Sequence, residues 1–195
     1  MKKVLLMLLA VVSLQVNAQD FYFTPKLGLN IANMTNSDGV DSRIGLNVGF
    51  GVEKPITDVF ALESGVFYSM QGAKSDGATL KLDYINVPVL AKYYVTSGFN
   101  VFAGPQLGIN VKSEVGASGG GMSASVDMSD VVKTVDVALN VGVGYQFDMG
   151  LSLSASYSRG LIGAFKDGEL FGEGIMVGDD NSNHSVFSIN VGWRF

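Results

Sequence analysis

The stretch FSINVGWRF, residues 187–195, alternates without a break: Phe187, Ile189, Val191, Trp193 and Phe195 fall on one side, and Ser188, Asn190, Gly192 and Arg194 on the other. A period of two marks a β-strand, whose successive side chains point to opposite faces. One face is apolar from end to end, and the other is small or polar. The pattern recurs upstream. Val135, Val137, Leu139, Val141, Val143, Tyr145 and Phe147 oppose Asp136, Ala138, Asn140, Gly142, Gly144 and Gln146. Phe99, Val101, Ala103, Pro105, Leu107, Ile109 and Val111 oppose Asn100, Phe102, Gly104, Gln106, Gly108, Asn110 and Lys112, and Ile44 to Val52 oppose Gly45, Asn47, Gly49, Gly51 and Glu53. Segments near 22–33, 59–70 and 151–160 repeat the theme. An eighth is less regular, with Leu80, Leu82 and Tyr84 in one phase and Ile85, Val87, Val89, Ala91 and Tyr93 in the other, so a β-bulge is expected near Tyr84.

These segments are about twice as long as the strands of a soluble sandwich. About ten residues tilted by about 45° is what a strand needs to cross a hydrocarbon core. Backbone groups in lipid must all pair, so such a sheet has to close on itself. Composition agrees: 47% of the 195 residues are hydrophobic and mean hydropathy is +0.30, yet no stretch after residue 18 is long enough for a transmembrane helix. The fold expected is therefore all-β, an eight-stranded antiparallel up-and-down transmembrane β-barrel.

The connections alternate in length. Pro55-Ile56-Thr57-Asp58, Val95-Thr96-Ser97-Gly98 and Asp148-Met149-Gly150 read as tight turns, whereas 34–42, 71–79, 113–133 and 161–183 read as longer loops. Short turns on the periplasmic rim and long loops outside are the pattern of outer-membrane barrels. Tyr22, Phe60, Tyr93, Tyr94, Phe99 and Phe147, with Phe21, Phe23, Phe50, Tyr145, Trp193 and Phe195, fall at the strand ends nearest the short turns and are expected to form the periplasmic aromatic girdle.

Met1-Lys2-Lys3, the apolar run 4–12 and the small-residue site Val16-Asn17-Ala18 read as a secretory signal peptide cleaved after Ala18. Residues 1–18 are then removed, and 19–195 form a single barrel domain. With Lys2 and Lys3 gone from 13 basic residues against 18 acidic, the net charge is near −7, which argues against nucleic acid as a partner. The absence of cysteine excludes a lipid-modified N-terminus, disulfides and thiolate sites.

The chain resembles the PorT-like group of small outer-membrane β-barrel proteins, also labelled "porin family" or "outer membrane protein β-barrel domain". The resemblance rests on Tyr84-Ile85-Asn86-Val87-Pro88-Val89-Leu90-Ala91-Lys92-Tyr93-Tyr94, on Phe102-Ala103-Gly104-Pro105-Gln106-Leu107-Gly108, on Tyr157-Ser158-Arg159-Gly160-Leu161 and on Val191-Gly192-Trp193-Arg194-Phe195. Asn86 departs from the acidic residue usual in the family's strand. The resemblance implies outer-membrane residence and a terminal aromatic signal, Phe195 with Trp193, read by the outer-membrane assembly machinery. It also implies a role as an accessory subunit of a secretion or transport machine.

An eight-stranded lumen is just wide enough to be filled by side chains. The inward charges expected are Lys26, Glu53, Glu63, Lys92, Lys112, Asp136 and Arg194, and buried charge is costly unless paired. A self-neutralising polar plug centred on Glu53, Glu63, Lys92 and Asp136 is therefore expected, with a narrow small-solute channel as the alternative. Gly116 to Gly121 lacks the Lys-Ser/Thr of a phosphate loop and reads as a surface loop. Asp179-Asp180-Asn181-Ser182-Asn183 lacks the spacing of a calcium loop. His184, beside Ser185, is the only histidine, and without a G-x-S-x-G elbow it reads as solvated rather than as part of a lipid-modifying site. No catalytic residue, metal or cofactor is expected. The partners expected are outer-membrane lipids, the assembly machinery and an envelope protein bound through the outer loops.

Overall fold

The computed structural model describes residues 21–34, 41–75, 78–119, 122–127, 134–161 and 184–195. Its strands are β1 (Tyr22–Met34), β2 (Asp41–Pro55), β3 (Phe60–Ser75), β4 (Ala78–Tyr94), β5 (Phe99–Gly119), β6 (Met122–Asp127), β7 (Val135–Gln146), β8 (Leu151–Gly160) and β9 (His184–Trp193). Every pairing is antiparallel. β1 joins β2 and β9, β4 joins β5, and eight strands close into a barrel, with β6 an extra short strand on the far end of β5.

The two faces settle which way the sheet curls. Ile44 is 67% exposed and Ile189 56%, whereas Asn30 is fully buried and Glu53 only 4% exposed. A soluble sandwich would reverse these values, because burying apolar surface is what stabilises it. Inside, glycines on β2, β3 and β7 make room for two rings: Phe67 packs where side chains at Gly49 and Gly65 would stand, and Phe102 where one at Gly142 would.

At the short-turn rim two connections share one device. Thr57 Oγ1 accepts from the Phe60 N–H at 3.0 Å, and Thr96 Oγ1 accepts from the Phe99 N–H at 3.1 Å, so each threonine closes its own turn. The third turn uses Gly150 at φ 99°, in the left-handed region that glycine enters at little cost.

At the opposite rim the structure corrects the expected loops. The β3–β4 hairpin continues to Ser75 and resumes at Ala78, and β5 runs to Gly119 before pairing with β6 from Glu114↔Asp127 to Gly119↔Met122. Residues 71–75, 78–79, 113–119 and 122–127 are thus sheet. The bulge is also placed differently. Register shifts between Asp83↔Lys112 and Tyr84↔Asn110, so the extra residue is Val111 of β5, while β4 keeps an unbroken register with β3. The two phases seen in β4 have another cause. From Ile85 to Tyr93 the apolar side chains face out, whereas Leu82 and Tyr84, each 2% exposed, face in. That inversion marks where the sheet leaves an apolar surrounding and packs as a water-soluble protein does.

Candidate functional site

The lumen is the candidate site, and each strand contributes its inward row. Glu53 ends the row of β2, Glu63 belongs to β3, Lys92 to β4 and Lys26 to β1, and Arg194 follows β9. The β3–β4 register sets Ala61 opposite Lys92, two residues from Glu63, and the β2–β3 register sets Glu53 opposite Glu63. Two carboxylates directly opposed would repel. Cations between them remove the conflict: Lys92 Nζ lies 2.5 Å from Glu53 Oε2 and 3.0 Å from Glu63 Oε2, Lys26 Nζ donates to Glu63 Oε1, and Arg194 Nη2 lies 3.3 Å from Glu53 Oε1. The Tyr94 hydroxyl donates to Glu53 Oε1 at 2.7 Å. Both carboxylates are nearly fully buried, so the ion pairs are desolvated and depend on one another.

This ionic cluster divides the lumen. A cavity of about 60 Å³ lies on its long-loop side, lined by Phe67, Asn86, Phe102, Gln106, Asn140 and the inward serines of β8. A second of about 20 Å³ lies toward the short turns, beside Asn100 and Gln146. Lys26 and Glu63 border both. Spaces of this size hold a few waters at most. Toward the long loops Tyr84 and Leu82 are buried, and Gly108 leaves room for Tyr84, Asn86 and Asp136.

The seven charges expected in the lumen are therefore not one group. Lys26, Glu53, Glu63, Lys92 and Arg194 come together near the short turns. Asp136 is buried at the other end of the lumen, near Gly108. Lys112 is a correction: it lies on the outer face with its side chain 45% exposed, 3.2 Å from Glu114. Extending the period of two beyond Asn110 placed it inside, and the bulge at Val111 adds one residue and turns it out. Tyr94, expected in the aromatic girdle, turns inward to Glu53, and Tyr22 lies under the Arg194 guanidinium at 3.5 Å. Tyr93 and Phe99 face outward, as do Phe60 and Phe147 in their strand phases, with the Phe147 ring 4.6 Å from that of Tyr145.

Sequence reasoning missed a second buried charge group. Arg43 donates to the Gln71 carbonyl and lies 3.7 Å from Asp83 Oδ1, whose other oxygen accepts from the Tyr68 hydroxyl at 2.7 Å. Arg43 continues the inward row of Gly45 and Asn47, one residue before the alternating segment that begins at Ile44. Asp83 stands at the phase inversion of β4, where period alone gives no guidance. Among the described residues no group of three or more His, Asp or Glu could hold a metal, and 179–183 lies outside them together with the His184 side chain.

Comparison with known proteins bears on this closed, inward-polar barrel. The family model described as "Outer membrane protein beta-barrel domain" matches residues 17–166. The chain belongs to that family. Among solved outer-membrane barrels, Neisserial surface protein A aligns with a TM-score of 0.56 at 19% identity, covering 90% of this chain and 97% of that one. The attachment invasion locus protein Ail of Yersinia pestis aligns with a TM-score of 0.52 at 14% identity, covering 90% and 99%. Likeness at such identity speaks for the fold alone. No curated protein sequence matches the chain.

Proposed function

We propose that this outer-membrane barrel is a non-enzymatic envelope protein with a filled lumen, which acts by binding a partner through the rim that carries its long loops. The observation that carries the reading is how little space the interior leaves: an ionic cluster of five buried or half-buried side chains near the short turns, Leu82 and Tyr84 buried toward the other end, and a cavity of only about 60 Å³. With the barrel wall committed to lipid and the lumen this narrow, the surface left for recognition is the outer rim. There the β3–β4 and β5–β6 hairpins extend the sheet past the phase inversion of β4. The short turns then face the periplasm, and the Tyr93, Phe99 and Trp193 side chains sit at the inner interface as the aromatic girdle.

The partner class we favour is another envelope protein, which would make the chain an accessory subunit of the kind the PorT-like resemblance implies; outer-membrane lipids surround the wall in any case. Two measurements test the reading. In planar bilayers the purified protein should show no steady conductance, and a large steady current would replace the plug with a small-solute channel. Mild detergent extraction followed by crosslinking should recover a protein bound through the outer hairpins, and recovery of the barrel alone would leave a structural role.

A further inference from the structure

Four prolines occur in the chain, and Pro25, Pro88 and Pro105 stand inside strands. Proline gives no N–H to a ladder and is ordinarily kept to edges, strand starts and bulges. In lipid a carbonyl left over has no water to turn to. Two of these prolines act on one place. Alternate residues of a strand direct their N–H and C=O toward alternate neighbours. Tyr94 N–H donates to Val59 O, so even-numbered residues of β4 address β3, and Pro88 stands opposite Gly65 with nothing to donate. Asn110 N–H donates to Thr134 O, so even-numbered residues of β5 address β7 over this stretch. Pro105 consequently addresses β4 and stands opposite Val89, again without a donor.

The ladders lapse at both places without a change of register. β3 and β4 lose pairing between Ser64↔Val89 and Phe67↔Asn86, and β4 and β5 lose it between Pro88↔Gln106 and Ala91↔Ala103. The side chain of Ser64 steps in, its hydroxyl donating to Pro88 O at 2.9 Å. Pro88, Leu90, Phe102 and Gln106 also line the 60 Å³ cavity, so the weakened wall adjoins the larger of the two lumen spaces described above. The seam between first and last strands is better held. Pro25 stands opposite Trp193 there, but Phe23 and Phe195 exchange both backbone bonds just below, and Arg194 spans from Tyr22 to Glu53.

We propose that the barrel wall opens sideways at the centre of β4, around Pro88–Leu90, rather than at the β1–β9 seam, and that this opening admits water from the lumen cavity to the wall. Amide hydrogen exchange of the folded protein in lipid nanodiscs tests it. The Gly65 and Val89 amides should exchange about tenfold faster than those of Ala155 and Ser156 in the unbroken β8, about what one missing ladder bond would allow. Pro88→Ala with Pro105→Ala returns two donors and should bring the rates level. Where that variant does not fold, disulfides decide. Leu62→Cys with Ala91→Cys, paired across β3 and β4, should slow exchange at Gly65 and Val89, and Ala32→Cys with Val186→Cys across the seam should not. Equal protection of Gly65, Val89 and the β8 amides overturns the proposal, as does slowing by the seam disulfide alone.

Discussion

Glu63 is where removing a single group has the largest expected effect. It accepts from Lys26 and Lys92 in a lumen with almost no access to solvent. Glu63→Ala leaves two buried cations short of a partner and should lower stability by about 3–5 kcal/mol, read by urea unfolding in lipid vesicles. A loss below about 1 kcal/mol would mean that lumen water solvates the lysines instead. Lys112 makes the counter-case. Exposed and, among the described residues, paired with Glu114, it should cost no more than about 0.5 kcal/mol when changed to Ala, and a membrane-impermeant amine reagent should label it in whole cells. At this scale the sequence was informative where alternation was strict: Glu53, Glu63 and Lys92 could be assigned inward by phase alone. It failed at Lys112 and Tyr94. One extra residue reverses phase, and a strand-end tyrosine has both an apolar ring suited to the girdle and a hydroxyl that a buried carboxylate attracts.

Among the elements, β9 and the residues after it are where the assembly signal implied by the PorT-like resemblance can be tested. Phe195 exchanges backbone bonds with Phe23, and its side chain is 72% exposed. Phe195→Asp keeps the backbone bonds and removes the aromatic face, so a folded but poorly inserted protein is expected. Surface labelling of cells should fall severalfold while the purified variant still refolds in detergent; unchanged labelling would dissociate the terminal aromatic from assembly. The strands themselves were legible because ten or more alternating residues leave little else to form. The hairpin extensions were not. Above the inversion in β4 the apolar face turns inward, and the Gly- and Ser-rich sequence of 113–127 carries little periodicity, so strand there looks like loop. Only the pairing with β5 shows that β6 exists.

For the whole molecule, closure turns an apolar composition without a long apolar segment into a consistent architecture: eight strands, apolar side chains outward and polar side chains buried inward. That much follows from period and length. Which partner the barrel meets does not, because recognition at a rim depends on shape and particular contacts that leave no periodic trace.

The change of face between Tyr84 and Ile85 also acts as a ruler. From Ile85 to Tyr93 the outward row of β4 is eight steps long, and at about 3.3 Å per residue and a tilt near 40° it stands only about 20 Å tall. On the β4 side the wall is thus short, whereas the outward row of β5 runs from Phe99 to Val111, and a short side fits a thin leaflet pair and strains a thick one. Refolding into phosphatidylcholine vesicles should therefore be faster and more complete with twelve-carbon acyl chains than with eighteen-carbon chains, and equal yields in both would place the greasy strip's true height well above what β4 displays.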